Sequence, residues 1–177
     1  MAVHVSFSDA YDNEIYFHVN GKISSMIALQ FVEKVSRFLP EVLTHLLSAT
    51  KECTMHAVST SKAPAAIGPY SQGIDTGSLI FTSGQLGLDP VDGTLAEGPA
   101  AQMAQAMKNV RAILEEGGSG MEKIVKALIF LQDMEHFSVI NEVYSGFFSG
   151  SFPARSCVQV ARLPKDALVE IEVIALK

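Results

Sequence analysis

Phe152-Pro153-Ala154-Arg155-Ser156-Cys157-Val158 leads through Ala161-Arg162-Leu163-Pro164-Lys165-Asp166 into Leu168-Val169-Glu170-Ile171-Glu172-Val173. These two strand-like segments close the chain. They carry a cation, a thiol and two carboxylates among apolar residues. An arginine at the start of an apolar strand is costly unless something anionic meets it, so Arg155 is a binding-site candidate. Side chains on a strand alternate faces, which puts Arg155, Cys157 and Gln159 on one side and Glu170 and Glu172 together on one side of the last strand. If the two strands pair across the loop at 161–167, setting Cys157 opposite Glu172 brings both sets to one face. A slip of one residue separates them. A guanidinium can grip a carboxylate through two parallel hydrogen bonds, and a nearby glutamate can take a proton from water or give one to a leaving group. The competing reading is a structural ion pair between Arg155 and one glutamate. Cys157 has no histidine near it in sequence to activate it, and a lone strand cysteine behaves as a small core residue.

Working back along the chain, residues 135–148 read as a helix with Phe137, Ile140, Tyr144 and Phe147 or Phe148 inward, and with Asn141 placed to orient a ligand or cap a loop. Residues 124–131 form a continuous apolar run of strand length, as for a strand buried on both faces. Residues 100–116 form a helix whose stripe is Met103, Met107, Val110 and Leu114, stopped by Gly117-Gly118. Asp89-Pro90-Val91-Asp92-Gly93 is a turn cluster. Thr76-Gly77-Ser78 is hairpin chemistry between strands at 71–75 and 79–83, and residues 56–60 read as a short strand. The order is three strands, helix, strand, helix, two strands. It suggests an α/β chain of the α+β kind, an antiparallel or mixed sheet with both helices on one face. The other face would keep apolar residues in water, and self-association would bury it.

Two further stretches could carry chemistry. Ala63-Pro64-Ala65-Ala66-Ile67-Gly68-Pro69-Tyr70-Ser71-Gln72-Gly73 is a rigid loop that presents Tyr70. Thr82-Ser83-Gly84-Gln85-Leu86-Gly87 puts a glycine just after a strand, where a ligand can approach backbone N–H groups. Turn chemistry alone also accounts for both. The spacing of Gly84 and Gly87 fits neither a dinucleotide loop nor a P-loop, and no His/Cys/Asp/Glu grouping has metal-ligand spacing.

The chain changes character near Met55. Residues 24–49 show a helical stripe of Met26, Leu29, Val32 and Val35, with Pro40 ending or kinking it. Residues 1–54 have neither the basic start nor the apolar block of a secretory signal. A transit peptide would be rich in arginine, and Arg37 stands there beside Asp9, Asp12, Glu14 and Glu33. The segment is therefore read as a partly helical extension, residues 1–54, ahead of a domain at 55–177. Met55 as the start of translation is the other option. Across the 177 residues, 48% are hydrophobic and 18% charged, which supports a full core. The net charge of -6 and the lack of a Lys/Arg block disfavour binding nucleic acid through a broad basic face. Cys53 and Cys157 are far apart, consistent with free thiols in a reducing compartment. Cytosol is the default expectation, with mitochondria if the extension or its removal directs import.

Ile67-Gly68-Pro69-Tyr70-Ser71-Gln72, Thr82-Ser83-Gly84-Gln85, Asn141-Glu142-Val143-Tyr144 and Phe152-Pro153-Ala154-Arg155-Ser156-Cys157 with Arg162-Leu163-Pro164-Lys165 together resemble the RidA family, also called YjgF or L-PSP. The resemblance spans residues 56–176. It implies a homotrimer of chorismate-mutase-like (YjgF-like) subunits with pockets at the subunit interfaces. It implies an enamine/imine deaminase that hydrolyses 2-aminoacrylate and 2-iminobutanoate, released by pyridoxal-phosphate enzymes, to 2-keto acids and ammonia, without a cofactor. By the same resemblance Arg155 binds the substrate carboxylate and Glu170 positions or activates water. Tyr70, Ser83, Gly84, Asn141 and Cys157 match other pocket residues. Two alternatives accompany this reading. One is an endoribonuclease or translation inhibitor of the L-PSP type. The other is a trimer that binds a small carboxylate, or acts as a chaperone, without turnover.

Overall fold

The computed structural model describes residues 55–177. The helix expected within 24–49, Cys53 and the reading of 1–54 as an extension lie outside those residues.

Seven strands form one mixed sheet. They are β1 (His56–Val58), β2 (Gly73–Asp75), β3 (Leu79–Thr82), β4 (Gln85–Leu86), β5 (Ile124–Leu131), β6 (Ala154–Gln159) and β7 (Val169–Leu176). The sheet order is β1-β2-β3-β7-β5-β6, with β4 continuing the line of β3 along β7. Only β6 runs parallel to its neighbour. Helix α1 (Gly98–Glu116) and helix α2 (Phe137–Ser145) pack on one face of the sheet. The expected stripe of α1 is the centre of the core: Met103, Met107, Val110 and Leu114 are fully buried. They meet Ile80, Ile129, Leu131, Val169, Ile171 and Ile140. Burying such side chains contributes about 1.5–3 kcal/mol each. No helix among the described residues is long and apolar enough to cross a membrane.

Three local expectations need correction. First, α2 is shorter than residues 135–148. A 3-10 turn at Met134–His136 precedes it, Asp133 accepts the Glu135 backbone N–H at that turn, and Gly146 ends the helix. Phe137 is 38% exposed rather than inward. Second, β5 is buried on one face only. Ile124, Ala127, Ile129 and Leu131 face the helices, while Leu128 and Phe130 on the other face stay partly open. That open face also holds Phe81, Ile174 and Val158, with Phe81 39% and Val158 42% exposed. It is the apolar sheet face expected to need covering.

The third correction decides the geometry of the site. The last two strands do not pair, because β5 lies between them. Cys157 stands in a row with Ile129 and Ile171, and Arg155 in a row with Ala127 and Val173. Glu172 is in a row with Leu128 and Ser156, and Glu170 with Phe130 and Val158. The first two rows face the helices and the other two face away. Arg155 and Cys157 therefore lie on the opposite side of the sheet from Glu170 and Glu172, not on the shared face that a Cys157–Glu172 pairing would create. The loop at 161–167 is a crossover past one strand, so sequence neighbours are not sheet neighbours here.

Candidate functional site

The residues singled out in the sequence gather into two groups, one on each side of the sheet.

The first group centres on Arg155, on the helix-facing side of the edge strand β6. Its Cζ lies 4.8 Å from the ring centroid of Tyr144 and 5.8 Å from that of Phe137. Both rings come from α2, at positions seven apart, and Asn141 lies between them at helical spacing on the same face. Tyr144 stacks on Phe148 with centroids 4.8 Å apart, and Phe148 meets Phe152 edge-on at 5.9 Å. The guanidinium thus rests on an aromatic wall. Among the described residues it makes no ion pair or hydrogen bond, so no structural ion pair with a glutamate is formed there. Cys157, two residues along, packs partly against the core. Burial pushes its thiol pKa up and the Arg155 charge pulls it back only in part. It is a neutral thiol beside a cation, not an activated nucleophile.

The second group surrounds Glu170 on the open side. The hydrogen-bonded pairs Phe81 with Ile174 and Gln85 with Ile171 bracket four steps on one strand but three on the other. One extra residue is therefore accommodated at Thr82-Ser83-Gly84, a bulge. Thr82 Oγ1 accepts the Val173 backbone N–H at 3.0 Å, replacing the ladder bond lost there. Ser83 follows the line of β2: its N–H donates to the Gln72 carbonyl at 2.9 Å and its hydroxyl to the Ser71 carbonyl at 2.6 Å. Gly84 comes so close to Glu170 that any Cβ there would collide with the carboxylate. Burial, and then the like charge of Glu172, raise the Glu170 pKa above the ordinary carboxylate value. Tyr70 is half exposed on the loop that leads into Ser71.

Three side chains that support these groups appeared in the sequence only as members of longer stretches, with no site role of their own. Gln72 Nε2 donates to the carbonyls of Thr60, Ala63 and Pro64 while its Oε1 accepts the Thr60 N–H. This amide ties down the loop that presents Tyr70. Thr82 seals the bulge, and Tyr144 underlies Arg155. A groove of about 500 Å³ beside Tyr70 is lined by Ser59, Thr60, Ser61 and Ser71, and reaches neither Arg155 nor Glu170. The described residues contain no group of three His, Cys, Asp or Glu able to hold a metal.

Comparison with known proteins adds an independent finding. The family described as Endoribonuclease L-PSP matches residues 60–177. A 2-iminobutanoate/2-iminopropanoate deaminase of Salmonella typhimurium is 50% identical over 123 residues, covering 68% of this chain and 96% of the relative. A Bos taurus protein of the same name is 50% identical over 121 residues, covering 68% and 88%. Among solved structures, Escherichia coli TdcF with bound serine matches at a TM-score of 0.68 and 45% identity, covering 69% of this chain and 98% of that one.

Proposed function

The chain belongs to the Endoribonuclease L-PSP family, and from that premise we propose that it is a 2-iminobutanoate/2-iminopropanoate deaminase. It hydrolyses a 2-imino acid, or the enamine tautomer that interconverts with it, to the 2-keto acid and ammonia. The observation that carries this reading is Arg155: a partly buried guanidinium on aromatic rings, with no carboxylate partner among the described residues. Such a fork is set for a ligand carboxylate. The serine bound to TdcF is a small amino acid of the same size class as these imines.

The chemistry asks little of the protein. The protonated imine carbon is already electrophilic. Arg155 holds the carboxylate and so fixes the carbon beside it. Glu170, with its raised pKa, takes a proton from water as the water oxygen bonds to that carbon. That proton passes to the nitrogen, then Glu170 takes the hydroxyl proton as the C–N bond breaks, the carbonyl forms and the ammonia that leaves carries the proton away as ammonium. Ser83 has already donated its hydroxyl proton to Ser71, so its oxygen can accept from the substrate N–H. Asn141 and Cys157 line the Arg155 side, and Tyr70 and Gly84 the Glu170 side.

Arg155 and Glu170 face opposite sides of one sheet, and an imino acid of three or four carbons cannot span it. The site is therefore completed by a second copy of the chain, whose Glu170 side meets the Arg155 edge of the first. Such a contact joins two different surfaces, and where its rotation closes it makes a ring. A trimer, buried through the open apolar sheet face, is the ring the family resemblance implies. The substrates arise where pyridoxal-phosphate enzymes release enamines, in the cytosol or, with import, in mitochondria.

The endoribonuclease reading has the family description on its side, but a single carboxylate and a carboxylate-sized anchor serve imine hydrolysis better than cleavage of a polyanion. The test couples a serine or threonine dehydratase to the purified full chain and follows keto-acid formation. Acceleration by the wild type and about 100-fold less by Arg155→Ala is expected, from the loss of charge-assisted hydrogen bonds. Undiminished hydrolysis by Arg155→Ala would sink the assignment.

A further inference from the structure

Tyr144 is the one buried side chain among the described residues whose polar atom has no partner. It is 4% exposed, and its ring, not its hydroxyl, faces the Arg155 guanidinium. No contact among the described residues uses the hydroxyl, so none of them explains a tyrosine rather than a phenylalanine here. The ring does have a use. A guanidinium on a bare strand edge would sample many rotamers, whereas one laid on an aromatic face is held flat with its fork outward. Phe137, on the same helix face, gives a second and more distant surface at 5.8 Å. Phe148 in turn braces Tyr144 at 4.8 Å.

We propose that Tyr144 is a positioning residue: its ring is the plate that sets Arg155 for the substrate carboxylate before substrate arrives. The inference rests on the reading of Arg155 as the carboxylate anchor. It extends the recognition machinery from the strand to α2, because the distance between Tyr144 and β6 then fixes the depth of the anchor.

The ring and the hydroxyl make different predictions. Tyr144→Phe keeps the plate and removes the orphan. It should bind as the wild type does and melt at a higher temperature. Tyr144→Leu and Tyr144→Met keep apolar volume and lose the π face. They should raise KM about tenfold, the scale of one partly desolvated cation–π contact, with kcat changed much less. Binding is read in parallel on the full chain by titrating 2-oxobutanoate, a keto acid carrying the same carboxylate, so the result does not depend on turnover. A tenfold weaker titration with Leu and Met, restored by Phe, supports the proposal whether or not imine hydrolysis is seen. Leu and Met variants that fold and bind 2-oxobutanoate like the wild type overturn it. So does a Phe variant as weak as Leu, which would assign the role to the hydroxyl. If Leu fails to fold, Met carries the test. Absent hydrolysis by the wild type, with the titration pattern intact, counts against the deaminase reading alone.

Discussion

The Glu170 carboxylate occupies the space that a side chain on Gly84 would need. The atoms in the way are the far end of a flexible side chain, not backbone. A methyl at position 84 would therefore displace the carboxylate without disturbing the sheet. The bulge at 82–84 and the proposed catalytic carboxylate are thus one device: the strand kinks, and the kink admits the acid.

Gly84→Ala is accordingly expected to lower kcat by roughly 100-fold, the scale of a misplacement near 1 Å. Its melting temperature should change little. Steady-state kinetics alongside a thermal melt checks this. A large fall in melting temperature would mean that Gly84 serves the fold instead.

The acidity of Glu170 sets a pH dependence. Burial is the larger cause of its raised pKa and Glu172 the smaller. With Glu170 acting as a base, activity rises with pH through that pKa. Removing the neighbouring charge with Glu172→Gln should move this acid limb to lower pH, read from kcat/KM against pH. Stability runs the other way. A carboxyl whose folded pKa is raised holds its proton more tightly in the folded chain. Its contribution is complete below about 4.5 and is lost as pH rises through the folded value. Glu170→Gln should thus raise the melting temperature more at pH 7 than at pH 4, while abolishing turnover.

Arg155→Lys keeps the charge at position 155 but loses the planar fork and the stacking on Tyr144. KM for the imino acid should rise between about tenfold and 100-fold, and less than in Arg155→Ala. A lysine variant with wild-type KM would mean that charge alone anchors the carboxylate.

Much of this was legible in the chain because local pattern and tertiary position agree. Met103, Met107, Val110 and Leu114 read as a stripe and form the core, and Thr76-Gly77-Ser78 reads as a turn and joins β2 to β3. The exposed sheet face followed from element order. The arrangement of the last strands was not legible, because alternation specifies a face and not a neighbour. Leu168-Val169-Glu170-Ile171 suits a strand beside β6 or beside β5 equally well. The chain resolves this by placing the eight-residue β5 between them, where its longer apolar run pairs on both edges. That one placement sends Arg155 and Glu170 to opposite faces. Tyr144 read correctly as an inward residue, yet its contact with Arg155 depends on a strand ten residues later and on a register no local signal encodes.

Thr82 gives a last prediction, on stability. Its hydroxyl oxygen accepts the Val173 N–H where the bulge opens the ladder, and both groups are buried. Thr82→Val keeps the shape and the strand preference but leaves that N–H without a partner. The cost is about 1–3 kcal/mol, several degrees in melting temperature for a domain of this size. Thr82→Ser keeps the acceptor and should lose much less. The bulge also carries Ser83 and Gly84, so Thr82→Val should lower kcat along with stability. A Val variant as stable as the Ser variant would mean that the bulge is held by the Ser83 N–H to the Gln72 carbonyl instead.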